Sequence, residues 1–413
     1  MCKDESVQAP KVAIEPVPLK ADEEWLKGFD LQAFEQDMRN LQKQLTQAQG
    51  TEDVEHLNKI LRWNKIFTIC GFATLWCFPN PFTIMCLSLG LFSRWTMIAH
   101  HVCHGGYDKT DASKDGYSRF KFAVGSMYRR VTDWFDWMLP EAWNVEHNLM
   151  HHYHLNEGSD PDLVQRNLKS IRESNMPKVV KYAVVVFFML TWKWTYYAVS
   201  TFSQLELIQY RKTNKVDPEV EKYHKAHGVN LFSLFTPSKL PPWFSCTKFF
   251  VKVLLPYVVG RFIVAPLPYY YLFGESGYKY ALINLALADL VTNVHSFMVI
   301  VPNHAGNDMY QFTQPCKPRS GHFYLRQVLG SANFATGTDI VDFSQGWLNY
   351  QIEHHLFPDL SMRSYQKAQP LVVDLCKKHG VPYIQENVFI RVKKTVDIMV
   401  GNADMRDFPS QYY

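Results

Sequence analysis

Five apolar stretches constrain this chain most: Ile66 to Pro79, Pro81 to Ile98, Val179 to Ser200, Phe249 to Phe273 and Tyr278 to Val301. A membrane-spanning helix needs about 20 mostly apolar residues, within a range of about 17 to 25, so the last three are long enough and the first two borderline. The break Pro79-Asn80-Pro81 favours a tight hairpin over one long helix. The competing reading is a set of core helices in a soluble domain, but several such stretches are hard to bury in one chain without lipid. The expected fold is therefore an all-α integral membrane protein with about four transmembrane helices and a cytosolic helical cap.

The mean hydropathy of −0.20 leaves roughly half of the mass outside the bilayer. Residues 1–60 are expected to form a polar tail followed by a surface helix over Leu31 to Gln49. The stretch Val54 to Phe67 alternates apolar and charged residues with helical period, as an amphipathic helix on a membrane surface would. Residues 61–365 are expected to be the membrane domain and 366–413 a C-terminal cytosolic segment. The opening residues carry several acids and no apolar run, which argues against a signal or transit peptide.

Positive charge beside the apolar stretches sets orientation. Arg211, Lys212, Lys215, Lys222, Lys225, Lys239 and Lys248 place the loop before Phe249 inside, and the linker Gly274 to Lys279, with a single Lys, outside. Phe249 to Phe273 and Tyr278 to Val301 then form an antiparallel pair. The stretch Val179 to Ser200, with Lys193 between Trp192 and Trp194, becomes interfacial or re-entrant.

The net charge of +4 is small for 413 residues and its cations are interspersed with acids, so nucleic acid is not an expected partner. The eight cysteines form no CxxC pair and three fall in apolar runs, which suits reduced thiols rather than a disulfide framework. No GxGxxG fingerprint occurs, so nicotinamide is not expected to bind this chain directly.

Nine of the 16 histidines sit in three clusters: HHVCHGG from His100, HNLMHHYH from His147 and QIEHHLFP from Gln351. Residues i and i+4 share a helix face, so His100 and His104 can address one metal, and so can His147 and His151. Adjacent residues diverge by about 100° in a helix of 3.6 residues per turn, so His151 and His152, like His354 and His355, serve two different ions more naturally. Imidazole suits several transition metals. A catalytic zinc takes three protein ligands, fewer than these clusters offer, whereas two irons with about four imidazoles each would use them.

Read as HxxxH at 100 to 104, HxxxHH at 147 to 152 and QxxHH at 351 to 355, the clusters resemble the three histidine boxes of the integral-membrane fatty acid desaturases. The order matches, as do a first box after an apolar hairpin and a membrane-containing insert before the third. The resemblance covers roughly Ile66 to Leu360. The glutamine opening the third box and the EHHLFP that follows look most like front-end and sphingolipid-type members, and NEGSDPDL after the second box also looks like a family feature.

The resemblance implies a cap carrying a di-iron site, dioxygen as co-substrate, and electrons from NADH or NADPH through a reductase and a separate cytochrome b5 or ferredoxin. Many front-end members carry a fused cytochrome b5 domain with an HPGG motif, and this sequence has none. It also implies a multi-pass protein, by default of the endoplasmic reticulum, with cytosolic boxes and a lipid acyl chain as substrate. The metal ligands it implies are His100, His104, His147, His151, His152, His354 and His355, with His304 in VPNHAG as a further ligand between boxes two and three. Gln351, His154, His101 and Asn303 are candidates for a weaker ligand or a supporting contact.

His56, His224, His227, His322 and His379 read as surface or satisfied core residues. Asp289 is intramembrane and a functional suspect, with pairing to Asn293 one turn away as its structural explanation. The aromatics of Trp134 to Trp143 read as interfacial anchors ahead of an acyl-channel lining.

An alkyl methylene offers neither an acidic proton nor a leaving group, so only activated oxygen serves here. The nearest rival is a di-iron lipid hydroxylase or epoxidase. A zinc-dependent membrane hydrolase is a further one, with Glu146 or Glu353 as its base.

Overall fold

The computed structural model describes residues 19–236, 238 and 240–413. The expected tail before residue 19, and Lys239 of the basic loop, lie outside the described residues. The protein is mostly helical, and the one sheet among the described residues is the parallel pair β1 (Tyr310–Gln311) and β2 (Arg406–Asp407).

Helix α1 (Leu31–Gln47) starts at Asp30, whose carboxylate accepts the Gln32 and Ala33 amides at 3.1 and 3.0 Å. Its buried stripe of Phe34, Met38, Leu41 and Leu45 follows the helical period and faces the same core as the histidine-bearing elements. Asp37 of α1 meets Lys378 and His379 at 2.6 and 2.7 Å, so the expected surface helix is clamped onto the cap.

Helix α2 (Thr51–Ala73) joins the expected amphipathic helix to the first apolar residues in one continuous run. The chain reverses at the expected hairpin, where Asn80 caps the Thr83 amide at 3.0 Å and Pro81 occupies the first turn. Helix α3 (Pro81–Cys103) returns close against α2. A Cβ on Gly90 would come 2.8 Å from Thr68 Oγ1, and Asn64 Nδ2 donates to the Gly90 carbonyl at 2.7 Å. Small residues thus allow two apolar helices to approach where polar side chains bridge them.

The stretch Val179 to Ser200 belongs to α4 (Lys178–Trp192), a π-helical turn Lys193–Tyr197, and α5 (Ala198–Arg211), which follow one another without a break. Val179, Val180, Val186, Phe187 and Leu190 of α4 face outward, while Lys193 is buried and reaches Asp136 at 2.9 Å.

Helix α6 (Leu267–Ile300) bends at Gly274, whose φ of 69° lies in the region that glycine tolerates. Beyond the bend it runs antiparallel to the segment around Tyr257 and Arg261. Asp289 meets Arg261 at 2.9 Å, Trp137 Nε1 at 3.0 Å and the Tyr257 hydroxyl at 3.2 Å. The partner of Asp289 is therefore a cation on the neighbouring helix rather than Asn293. With three contacts around it, this buried acid ties the helices together.

Two helices, Pro81–Cys103 and Leu267–Asn303, are long and apolar enough to cross a membrane. They run parallel, joined by Ser88 Oγ and Thr292 Oγ1 at 3.0 Å; the first ends on the first histidine box and the second on His304. The cap over that end contains α7 (Gly321–Leu329), α8 (Gln351–Leu356), α9 (Met362–His379) and α10 (Val388–Val400). The C-terminal segment folds back onto it: fully buried Arg391 of α10 meets Asp308 at 2.7 Å and the Ala305 carbonyl at 3.1 Å.

Candidate metal centre

Each histidine box sits where a helix changes register. Residues Ser93–Ala99 of α3 are π-helical and lead into the α-turn His100–Cys103. The second box continues a short helix, Pro140–Val145, as π-helical Glu146–His151. Such segments are rare and frequent at functional sites, because the wider turn re-aims side chains that α-helical spacing would align. The third box is α8, entered through Trp347 in the left-handed region at φ 55°.

The structure brings these boxes together in two buried groups. His100, His104, His147 and His354 form the first, and His151, His304 and His355 the second; within each, the potential ligand atoms lie within 4.8 Å of one another. Neighbours His354 and His355 part to different groups. His100 and His104 share one, while His147 and His151 each join a different one of these two and also lie within 4.8 Å of each other beside Asp162, their rings stacked with centroids 5.2 Å apart. Within the π-helical turn, the grip of Asp160 on His151 Nδ1, at 3.0 Å, sets how that ring is aimed.

His152 lies between the groups, stacked on His355 at 4.2 Å and edge-on to His104 at 4.4 Å. His304, after the last apolar helix, is 4.5 Å from the His355 ring. His101 is buried nearby, but its Nδ1 donates to the Met97 carbonyl at 2.7 Å and it joins neither group. His154 also stays outside, half-exposed, with Nδ1 on Glu157 at 2.9 Å. Asn303 directs its amide to the Val299 and Leu348 carbonyls, both at 3.0 Å, and fastens the end of α6 to the third box. Gln351 approaches His304 Nε2 with its amide nitrogen at 2.9 Å.

The outer faces of the rings are held by oxygen acceptors. Besides Asp160 on His151, the Tyr365 hydroxyl holds His354 Nδ1 at 3.1 Å, Gln327 Oε1 holds His355 Nδ1 at 3.1 Å and the Gly330 carbonyl holds His304 Nδ1 at 3.1 Å. A proton on each Nδ1 leaves the Nε2 lone pair facing inward, which is how metal-binding histidines are oriented. Of these partners, Asp160 lay in the NEGSDPDL stretch singled out in the sequence, whereas Tyr365, Gln327 and Gly330 carry no local signal.

Burial and mutual repulsion hold His104, His147, His152, His354 and His355 well below the usual imidazole range. Burial also takes His304 down to about 3. His151 is the exception: burial opposes its protonation, but the Asp160 carboxylate outweighs it and raises the ring. His104 Nε2, His355 Nε2 and both nitrogens of His147 and His152 have no protein partner, nor does Gln351 Oε1. Each unsatisfied buried polar atom costs about 1–3 kcal/mol, a penalty that bound cations would remove. The donor set therefore fits metal ions that favour neutral imidazole.

Glu353 does not present a free base. Its carboxylate accepts from Asn333 Nδ2 at 2.7 Å and the Tyr383 hydroxyl at 2.8 Å, and burial lifts its pKa to about 7. Glu146 is buried against Asp162 and Tyr197, and burial pushes it well above the carboxylate range.

An apolar cavity of about 160 Å³ reaches His100, His147, His151, His304 and Gln351 between walls that include Phe188, Trp192, Phe297, Ile300, Leu348 and Met399. The aromatics of Trp134 to Trp143 do not line it. A second cleft, of about 410 Å³, reaches His104, His152 and His355 past Asn144, Asn148, Arg319 and Tyr324.

Two long apolar helices ending in a buried polyhistidine centre, beside an apolar cavity, define the class: a helical protein of membrane type with a metal-competent imidazole site. The chain belongs to the fatty acid desaturase family, whose profile matches residues 79–387. It is 35% identical over 121 residues to an NADPH-dependent stearoyl-CoA 9-desaturase of Mycobacterium tuberculosis, covering 29% of this chain and 28% of the relative. It is 35% identical over 81 residues to an acyl-lipid (9-3)-desaturase of Borago officinalis, covering 20% and 17% of the two chains. A Delta(8)-fatty-acid desaturase 2 of Arabidopsis thaliana is 36% identical over 81 residues, with the same coverage of 20% and 17%. These matched segments span less than a third of the relatives' length. No solved structure matches the chain significantly.

Proposed function

We propose that the protein is an oxygen-dependent desaturase that introduces a double bond into a long fatty acyl chain, with two irons in the histidine groups. The observation that carries this reading is the apolar cavity ending on two buried groups of inward-facing imidazoles. His100, His104, His147 and His354 would hold one iron, and His151, His304 and His355 the other, with His152 between them. Bound ferrous iron would supply the activation of dioxygen.

The chain's own residues do the rest. Trp192, Phe297, Ile300 and Leu348 hold an alkyl chain against the histidine groups and exclude water. Asp160, Tyr365, Gln327 and the Gly330 carbonyl fix the rings so that the centre cannot drift. In the balanced reaction, two hydrogens leave adjacent carbons, and together with two electrons and two protons they reduce one dioxygen to two waters. The electrons come from NADH or NADPH through a reductase and a separate cytochrome b5 or ferredoxin; the words NADPH-dependent in the name of the mycobacterial relative support that source.

The substrate is an acyl-lipid, acyl-CoA or sphingolipid chain, and the Borago and Arabidopsis relatives, named for acyl-lipid and Delta(8) activities, favour front-end chemistry. The protein is a multi-pass membrane protein of the endoplasmic reticulum, with about four spans and the boxes on the cytosolic side. In support, α3 and α6 bring His100 and His304 to the same end, and Ile66, Ile69, Phe82, Met85, Tyr271 and Leu272 turn outward as a lipid-facing surface would. Expression in a host lacking the activity, with lipid profiling by mass spectrometry, tests this. A new unsaturated acyl chain is expected, and a hydroxylated product alone would overturn it.

A further inference from the structure

Beyond its imidazoles the centre meets a carboxylate. The potential ligand atoms of His147, His151 and Asp162 lie within 4.8 Å of one another. His147 belongs to the first histidine group and His151 to the second, so Asp162 stands at the joint between them. Both ring nitrogens of His147 are buried without a protein partner.

We propose that Asp162 contributes a carboxylate oxygen to the metal centre, linking its two histidine groups. This rests on the two-iron reading above and adds a ligand that the histidine boxes do not contain. The position of the side chain is set from two sides. Asp160 Oδ1 accepts the Asp162 backbone amide at 2.9 Å and His151 Nδ1 at 3.0 Å, so one carboxylate fixes both the ring and the residue beside it. The Tyr196 hydroxyl holds Asp162 Oδ1 at 3.1 Å, and Asp162 also lines the apolar cavity, where acyl chain and centre meet.

The charge balance points the same way. Neutral imidazoles bring no charge, so two divalent ions held by them alone leave their charge uncompensated in a buried site. A carboxylate in contact offsets part of it, and the ions in turn offset the cost of burying the carboxylate.

The test measures iron binding and the Mössbauer spectrum of full-length protein in detergent. Asp162→Asn is expected to weaken iron binding at least about tenfold and to change the quadrupole splitting of the iron that remains. Tyr196→Phe, which removes one hold on the carboxylate and keeps the carboxylate itself, is expected to weaken iron binding less than Asp162→Asn does. Unchanged affinity and spectrum in Asp162→Asn would overturn the proposal, as would changes in Tyr196→Phe equal to those in Asp162→Asn, since the carboxylate would then add nothing beyond its hydroxyl partner. Should Asp162→Asn fail to fold, Asp162→Glu decides: two irons per chain are expected, and their loss refutes the carboxylate role. Wild-type protein without iron would overturn the proposed function itself, and this ligand with it.

Discussion

Asp160 Oδ1 lies 3.0 Å from His151 Nδ1 and sends the opposite nitrogen of that ring toward His304 and His355. The same carboxylate accepts the Asn156 and Asp162 amides at 2.8 and 2.9 Å, so it is rigid before any ion binds. Asp160→Ala is expected to lower metal affinity about 10- to 100-fold, the usual effect of removing an outer partner of a metal-bound histidine. Iron titration of the purified variant checks this, and wild-type affinity would show that Asp160 does not orient the ring.

Gln351 offers a second test. Its amide nitrogen is 2.9 Å from His304 Nε2 and its Oε1 has no protein partner, so it is placed to tune the centre. In Gln351→His the added imidazole would compete for a coordination position. Iron is expected to stay bound while product yield falls, with Gln351→Ala less affected. Full activity in Gln351→His would sink the tuning role.

Glu353 predicts a pH dependence. Burial raises its pKa from the ordinary 4.5 to about 7, so the folded protein holds the proton over a range where the unfolded chain has lost it. The stability this gives is full below the unfolded value and is lost as pH rises toward 7, by at most about 3 kcal/mol. Relative to wild type, Glu353→Gln should lose less thermal stability between pH 5 and 7. Parallel melting profiles in detergent would show that Glu353 does not titrate in that window.

The histidine boxes were legible because their spacing is local, and the outward split of His354 and His355 follows from helix geometry alone. The aim of the His151 ring was not legible, since the π-helical turn and Asp160 arise from packing around the box. Tyr365 and Gln327 come from other helices and have no spacing to betray them. Asp289 could be recognised as unusual, but its partner Arg261 could be found only once the antiparallel pairing was formed. The helix of the polar N-terminal region is legible in its apolar period, while its clamp onto α9 depends on His379, whose partner Asp37 lies far away in the chain.

Orientation is open to a direct experiment. Tags at the N-terminus, at Asn214 and at the C-terminus are expected to be cytosolic, and one at Gly277 lumenal. Protease protection of the Asn214 tag in sealed microsomes would contradict the reading of Val179 to Ser200 as interfacial or re-entrant.

Metal analysis of the purified protein decides whether a two-iron centre is built on the histidine groups. About two irons per chain are expected, with His147→Ala and His355→Ala each losing iron while the protein remains inserted in the membrane. One zinc per chain and no iron, or unaltered iron in both variants, would contradict it.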